Sequence, residues 1–337
     1  MAIPRFAHPA PFQTTRASHV VLTVSNLARS KKFYVDALGL VVSDEYGGIL
    51  YLRGVEEACH HSLVLKEDKS GPSAVRIGFR VFTEDDLRNA KAFFESRNFP
   101  ATFVNVPHQS ATLQVQDAVG TPLELCASMD TKPRFVVKFE EFKSGAPGRL
   151  DHFQMLTPHV PRAAEFYSTL GFRISEYIAV DGTDDLVFVF LQRKGNPHDI
   201  VFAHGAGPRL HHVAYTVADA QALVRLCDVV GNLGFGGSVE HGPGRHGPGH
   251  ALFVYLRDPD GHRIEFFTTH YQVMDIENEP IRWDVSYMKN RPWGLPPRQR
   301  WYQDAMPFAE IPVEQPSRMP TPVTLESFLA AGRADLK

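Results

Sequence analysis

Apolar residues along this chain fall into two spacings that take turns: alternating runs suited to strands, and longer repeats suited to helices. His19 to Val24 reads as a strand. Ser25-Asn26 then offers a helix N-cap, Leu27 to Leu38 keeps a helical pattern, and Gly39 stops it. The same design returns later: His152 to Thr157 is strand-like, Pro161 to Leu170 is helical with its proline in the first turn, and Gly171 ends it. Phe33-Tyr34 before Leu38-Gly39 is echoed by Phe166-Tyr167 before Leu170-Gly171. A second unit also occurs twice. Val75 to Phe82 leads into a helical stretch from Glu84 to Arg97, and His212 to Val217 leads into one from Asp219 to Val230, closed by Gly231. Both finish on turn formers followed by a strand: Asp117-Ala118-Val119-Gly120 before Pro122 to Leu125, and Asp258-Pro259-Asp260-Gly261 before Arg263 to Phe266. The pattern predicts an α+β chain of four strand–helix–strands units, two per half.

A Gly/Pro/Ser stretch from Lys143 to Gly148 marks the boundary, giving a first domain over residues 1–143 and a second over 149–270. Residues 271–337 are rich in proline and aromatics with little periodicity; they read as an arm packed over the body, with a helical end near Thr324 to Ala331.

Composition narrows the function. A chain of 337 residues with 43% hydrophobic and 22% charged content is globular, and a net charge of -3 argues against nucleic acid or an anionic membrane as the main partner. No apolar run is long enough to span a bilayer, and Met1 to Phe12 lacks the pattern of a signal peptide. Cys59, Cys126 and Cys227 are odd in number and widely spaced, which suits free thiols in a reducing cytoplasm. The unusual count is histidine, at 16, which directs attention to metal chemistry.

Most of these histidines lie in the second half, where His152, His198, His204, His211, His212, His241, His246, His250 and His262 surround a strand holding Glu265. Two neutral imidazoles and one carboxylate hold a divalent ion while leaving neighbouring positions open for substrate and O2, the donor set of non-haem Fe(II) oxygen chemistry. On a strand, His211 and His212 face apart, so only one looks into a common cavity, and alternation does not choose between them. His152, His212 and Glu265 sit at matching ends of the repeated units, so a symmetric fold brings them together.

Four segments carry a resemblance: Leu150-Asp151-His152-Phe153, Gly207 to Ala214, Gly242 to Gly247, and Asp258 to Glu265. Together they resemble the catalytic half of the type I extradiol ring-cleaving dioxygenases of the vicinal oxygen chelate superfamily, with most motifs shared with the homoprotocatechuate and catechol 2,3-dioxygenase branch. The tail around Trp283-Asp284-Val285 is similar too. The resemblance implies four βαβββ modules paired into two open, barrel-like domains plus a C-terminal extension. It implies His152, His212 and Glu265 as ligands of Fe(II), with Mn(II) compatible with the same donors, and O2 as co-substrate. His198 matches an acid/base, with His246 and Tyr255 beside the substrate oxygens. Phe190 and Gln154 match positions that line the pocket, and Arg291 matches one that helps hold a substrate carboxylate. His241 stands where relatives carry a second carboxylate-binding Arg, and Gln154 where they carry Asn, so the ring-cleaving chemistry carries over better than the substrate. A catechol substrate and a homo-oligomer, a tetramer by preference, follow from the same resemblance.

In the first half the repeat places His19, Arg76 and Glu124 at the equivalents of the three ligands; Arg does not bind metal, so this half reads as scaffold, with His60, His61 and His108 as ordinary residues. Two other functions fit parts of the pattern. One is a glyoxalase-like isomerase or thiol transferase, which would spread its ligands across the repeats. The other is a metal-free sequestering protein, which would need neither the three ligand-type residues nor His198.

Overall fold

The computed structural model describes residues 3–286, 293–318 and 323–331. The first half folds as β1 (Thr14–Val24), α1 (Leu27–Lys31), β2 (Val41–Tyr46), β3 (Ile49–Arg53) and β4 (Leu63–Glu67), then β5 (Ser73–Val81), α2 (Glu84–Glu95), β6 (Ala101–Val104), β7 (Thr112–Gln116) and β8 (Pro122–Cys126). The second half repeats this with β9 (Leu150–Thr157), α3 (Val160–Thr169), β10 (Arg173–Ala179), β11 (Leu186–Gln192) and β12 (Ile200–His204), then β13 (Arg209–Thr216), α4 (Ala220–Val230), β14 (Val239–Arg245), β15 (Leu252–Arg257) and β16 (Arg263–Thr268). These are the four βαβββ modules.

The helices start where capping chemistry places them. Asn26 accepts from the Arg29 amide, and Asp219 accepts from the Ala222 amide. Thr83 and Asp86 cap α2 reciprocally, and Glu84, Asp85 and Asp86 complement its N-terminal dipole. The first helix differs from expectation after Lys31: its turns widen to π spacing over Lys32–Ala37, where Phe33, Tyr34, Val35 and Ala37 are all buried. Gly39 then turns the chain at φ +90°, where a Cβ would sit 2.2 Å from the Lys143 carbonyl oxygen, so glycine is required twice over.

In each half the modules join through their first strands. The first sheet runs β2-β3-β4-β1-β5-β8-β7-β6, and the second runs β14-β15-β16-β13-β9-β12-β11-β10 with one further strand on the β10 edge. The registers of the two centres match. Gly78 pairs with both His19 and Glu124, and Ala214 pairs with both His152 and Glu265. Two residues upstream of those pivots lie Arg76 and His212.

One hydrophobic core runs through both halves, with Phe79 of the first sheet edge-on to Phe153 of the second at 6.0 Å. Two buried polar contacts are reciprocal across the halves. The Tyr34 hydroxyl donates to Asp258 at 3.0 Å, and the Tyr167 hydroxyl donates to Asp117 at 3.0 Å. The first helix of each half thus reaches the Asp-Gly turn of the other.

The arm is more integrated than its lack of periodicity suggests. β17 (Ile281–Asp284) pairs parallel with β10, α5 (Gln299–Gln303) buries Trp301 and Tyr302, and β18 (Met306–Pro307) pairs with β13. Phe308 is buried in the main core and the Ala309 amide donates to the Ala74 carbonyl. Such pieces are held by edge pairing and single anchors, which leave no period in the sequence. A last helix, α6 (Leu325–Ala330), is capped by Thr324. Among the described residues no helix is long and apolar enough to cross a membrane.

Candidate metal centre and its pocket

β9, β13 and β16 lie side by side and aim His152, His212 and Glu265 at one point, with one donor atom of each within 4.8 Å of the others. His152 Nε2 and His212 Nε2 each lie 3.2 Å from the same oxygen, Glu265 Oε2. Donors about 2.1 Å from a shared ion sit roughly 3 Å apart, so this spacing fits a divalent cation. His212 Nε2 is buried and lacks an aligned hydrogen bond, as a nitrogen kept for an ion should be. Burial alone would raise the Glu265 carboxyl, but His152, His212 and His246 around it hold it well below the usual carboxylate range. It is an anion in a buried site.

A bulge in β13 decides between the two adjacent histidines. Leu210 pairs with Met155 and His212 with Gln154, leaving His211 as the extra residue. His211 turns away to the Trp301 carbonyl, 2.8 Å from its Nε2, while its Nδ1 meets His212 Nδ1 at 2.8 Å. Both imidazoles are buried, but only His212 faces Glu265.

Behind His152 stands a support absent from the sequence-based expectations. Asp151 accepts from His152 Nδ1 at 3.0 Å and is held by the Asn196 amide at 3.0 and 2.9 Å. Lys194 is 3.7 Å from it and bonds the Asp151 carbonyl and Asp199. Burial works against the ionised Asp151, yet Lys194 and His152 overcome it and its pKa falls. A carboxylate behind a ligating imidazole fixes the ring's tautomer and raises its basicity. Asp151 adjoins a ligand in sequence, but Lys194 and Asn196 reach it from the loop after β11, and no local pattern announces that.

The cavity in front of the three donors is lined by Gln154, Phe190, His198, His246 and Tyr255, all expected, and also by Ile178, Phe188, Val201, His270, Trp283 and Trp301. His246 Nε2 is 2.9 Å from the Tyr255 hydroxyl and 3.3 Å from Glu265 Oε1. His198 lies edge-on to His152, ring centroids 4.2 Å apart; burial lowers its pKa, with His152 and His270 adding to the effect, so it is neutral. His241 does not line this cavity. It lies behind Tyr255, rings parallel within 6° at 5.9 Å, on a separate cavity with Trp293 and Arg298. Arg291 lies outside the described residues.

Glu176, wholly buried on β10, gathers three walls of the cavity. Its carboxylate accepts from the Gly249 amide at 2.8 Å, the Tyr271 hydroxyl at 2.6 Å and the Trp283 indole at 2.5 Å. Those donors come from the loop that carries His246, the residue after His270, and the arm.

The paired modules and the histidine–carboxylate centre define a metal-site member of a known superfamily. The chain belongs to the Glyoxalase/Bleomycin resistance protein/Dioxygenase superfamily, which it matches over residues 16–125 and 149–266. Among solved structures it is similar to homoprotocatechuate 2,3-dioxygenase of Brevibacterium fuscum, with a TM-score of 0.89 and 34% identity over 94% of this chain and 90% of that one. The enzyme of the same name from Arthrobacter globiformis gives a TM-score of 0.87 and 33% identity over 92% and 98%. In sequence the chain is 26% identical to a manganese-dependent 2,3-dihydroxybiphenyl 1,2-dioxygenase of Geobacillus genomosp. 3, over 80% of this chain and 90% of that one. It is 27% identical to a metapyrocatechase of Pseudomonas sp. (strain CF600), with the same coverage of 80% and 90%.

Proposed function

We propose that this chain is an extradiol dioxygenase that opens a catechol ring with O2 at a single divalent metal held by His152, His212 and Glu265. The observation that carries this reading is the convergence of two imidazole nitrogens on one oxygen of a buried, anionic Glu265, in front of an aromatic-sized apolar cavity. Fe(II) fits the donor set, and Mn(II) fits it equally. In this reading residues 149–270 carry the chemistry, residues 1–143 scaffold it, and residues 271–337 close the pocket.

The metal supplies Lewis acidity toward a catechol hydroxyl and a common platform for ring and O2. The rest is done by side chains. Tyr255 and His246, hydrogen-bonded to each other beside Glu265, take up the hydroxyl proton and hold the resulting oxyanion. His198, neutral at rest and edge-on to His152, takes up the proton of the second catechol hydroxyl and returns it to the oxygen that is being reduced. Ile178, Phe188, Phe190 and Val201 form an apolar wall for the ring and keep water out. His241 behind Tyr255 stabilises the wall rather than the substrate.

The wall facing the donors is apolar, built by Ile178, Phe188, Phe190 and Val201, and it suits a catechol with an uncharged, apolar substituent. Burying an unpaired carboxylate there is costly. The expected kcat/KM for 4-methylcatechol exceeds that for 3,4-dihydroxyphenylacetate by at least about tenfold; equal values would show that a cation reaches the pocket. The ring-cleaving reading itself is tested with an oxygen electrode after anaerobic iron loading. Absence of O2 uptake across a panel of catechols, with iron bound, would overturn it.

A further inference from the structure

The first half holds a second cluster of donors, away from its own His19–Glu124 pair. Asp44 on β2, His60 just before β4 and His108 before β7 bring one ligand atom each within 4.8 Å of the others. His60 is 1% exposed, and its buried Nε2 has no hydrogen-bond partner while facing Asp44 Oδ2 at 4.0 Å. An imidazole nitrogen and a carboxylate oxygen held apart at that distance leave room for a cation between them.

The nitrogens not facing the cluster centre are already supported. His60 Nδ1 meets His61 Nδ1 at 3.1 Å, and His108 Nδ1 meets Asp130 Oδ2 at 2.9 Å. The contact with His61 fixes the buried His60 ring, while Asp130 anchors one edge of the half-buried His108 and leaves the ring able to tilt. The backbone is fixed as well. The segment 129–132 bridges the two histidine-bearing loops, with the Asp130 amide donating to the His108 carbonyl and the Lys132 amide to the Ala58 carbonyl. Two carboxylates, Asp44 and Asp130, face one ammonium, Lys132, so the local charge favours a cation.

We propose that Asp44, His60 and His108 form a second metal site, suited to a late first-row divalent ion such as Zn(II), on the rim of the first sheet. Two neutral imidazoles and one carboxylate prefer such ions to Mg(II) or Ca(II). The imidazoles are stacked at 3.6 Å, parallel within 6°, and stacked rings cannot both aim in-plane lone pairs at one ion. Binding therefore tilts His108 out of the stack and away from the Tyr46 hydroxyl, 3.0 Å from its Nε2. Its side chain is 21% exposed and belongs to no core cluster, so His60 stays fixed and His108 closes on the ion.

The site is independent of the ring-cleaving centre, and its test keeps the two apart. Iron-loaded protein is dialysed anaerobically against Zn(II), and both metals are measured per chain. The expected result is one Zn(II) per chain with iron retained, and a loss of at least about tenfold in Zn(II) affinity in both Asp44→Asn and His108→Ala. Ring cleavage stays unchanged in these variants, because neither residue touches the catalytic cavity. A single total metal per chain, Zn(II) uptake matched by iron loss, or unchanged affinity in both variants would overturn the proposal. Asp44 is half-buried and belongs to no core cluster, so its Asn variant keeps the fold and a negative result there is decisive.

Discussion

Asp151 illustrates how much of a metal centre lies behind its ligands. His152 and Glu265 were legible from their segments because donor type and strand position are local facts. The job of Asp151 depends on Asn196 and Lys194, which come from another strand's end, so the sequence showed the residue without its role. In Asp151→Asn the Asn196 amide and Lys194 would face an amide nitrogen, and His152 would lose its charged acceptor. Metal affinity is expected to fall about 10- to 100-fold, read by competition with a chelator. Unchanged affinity would reduce Asp151 to packing. His212 makes a related point. Strict alternation left His211 and His212 equivalent, and only the bulge against Gln154, set by long-range register, separates them.

At the scale of elements, the arm and the loop carrying His246 meet at one carboxylate. Glu176 accepts from Gly249, Tyr271 and Trp283, so it fastens the cavity's wall from three directions. Glu176→Gln places an amide N–H against a donor, releasing at least one of the three. The expected outcome is a rise of about tenfold in KM for the catechol with metal content unchanged, because positioning is lost and ligands are not. Loss of metal in step with KM would mean that Glu176 supports the centre itself. The choice between lid and packing for residues 271–337 resolves into both. Trp283 and Trp301 line the cavity, while Phe308 sits in the main core. Truncation after Tyr271 should therefore abolish the cooperative unfolding transition as well as activity, as followed by circular dichroism. A chain that still melts cooperatively would identify the segment as a detachable cover.

Across the whole molecule, the two halves exchange hydrogen bonds through Tyr34–Asp258 and Tyr167–Asp117. The repeat was readable in sequence, and so were all four of these residues; their crosswise pairing was not, because periodicity orders elements without saying which half they touch. Burial raises Asp117 to about 6, against donation from Thr121, Tyr167 and Val119. The folded state thus holds this proton more tightly than the unfolded chain does. Asp117 then costs nothing below about pH 4, costs progressively more up to about pH 6, and levels off on the order of 3 kcal/mol above that. Asp117→Asn can keep the pattern, its oxygen accepting the Val119 and Thr121 amides and its nitrogen donating to Tyr167. Urea titrations should show the variant gaining on the parent from pH 4.5 to 6.5 and holding that margin at pH 7.5. Parallel curves across this range would remove Asp117 as the source.

The register of the first sheet has a last consequence, for how the two halves respond when metal is stripped. His19 is 3.0 Å from Glu124, and the Arg76 guanidinium, 3.9 Å from the same carboxylate, stands where the second half has His212. Arg76 is a positive charge that cannot dissociate, so the first half is permanently neutralised in a way the second becomes only by binding. Removing metal then leaves buried donors unbalanced on one sheet alone. Hydrogen exchange after chelation should quicken in β9, β13 and β16 while β1, β5 and β8 keep their protection. Equal quickening in both sheets would show that the halves open as one unit, coupled through their crossed Tyr–Asp bonds.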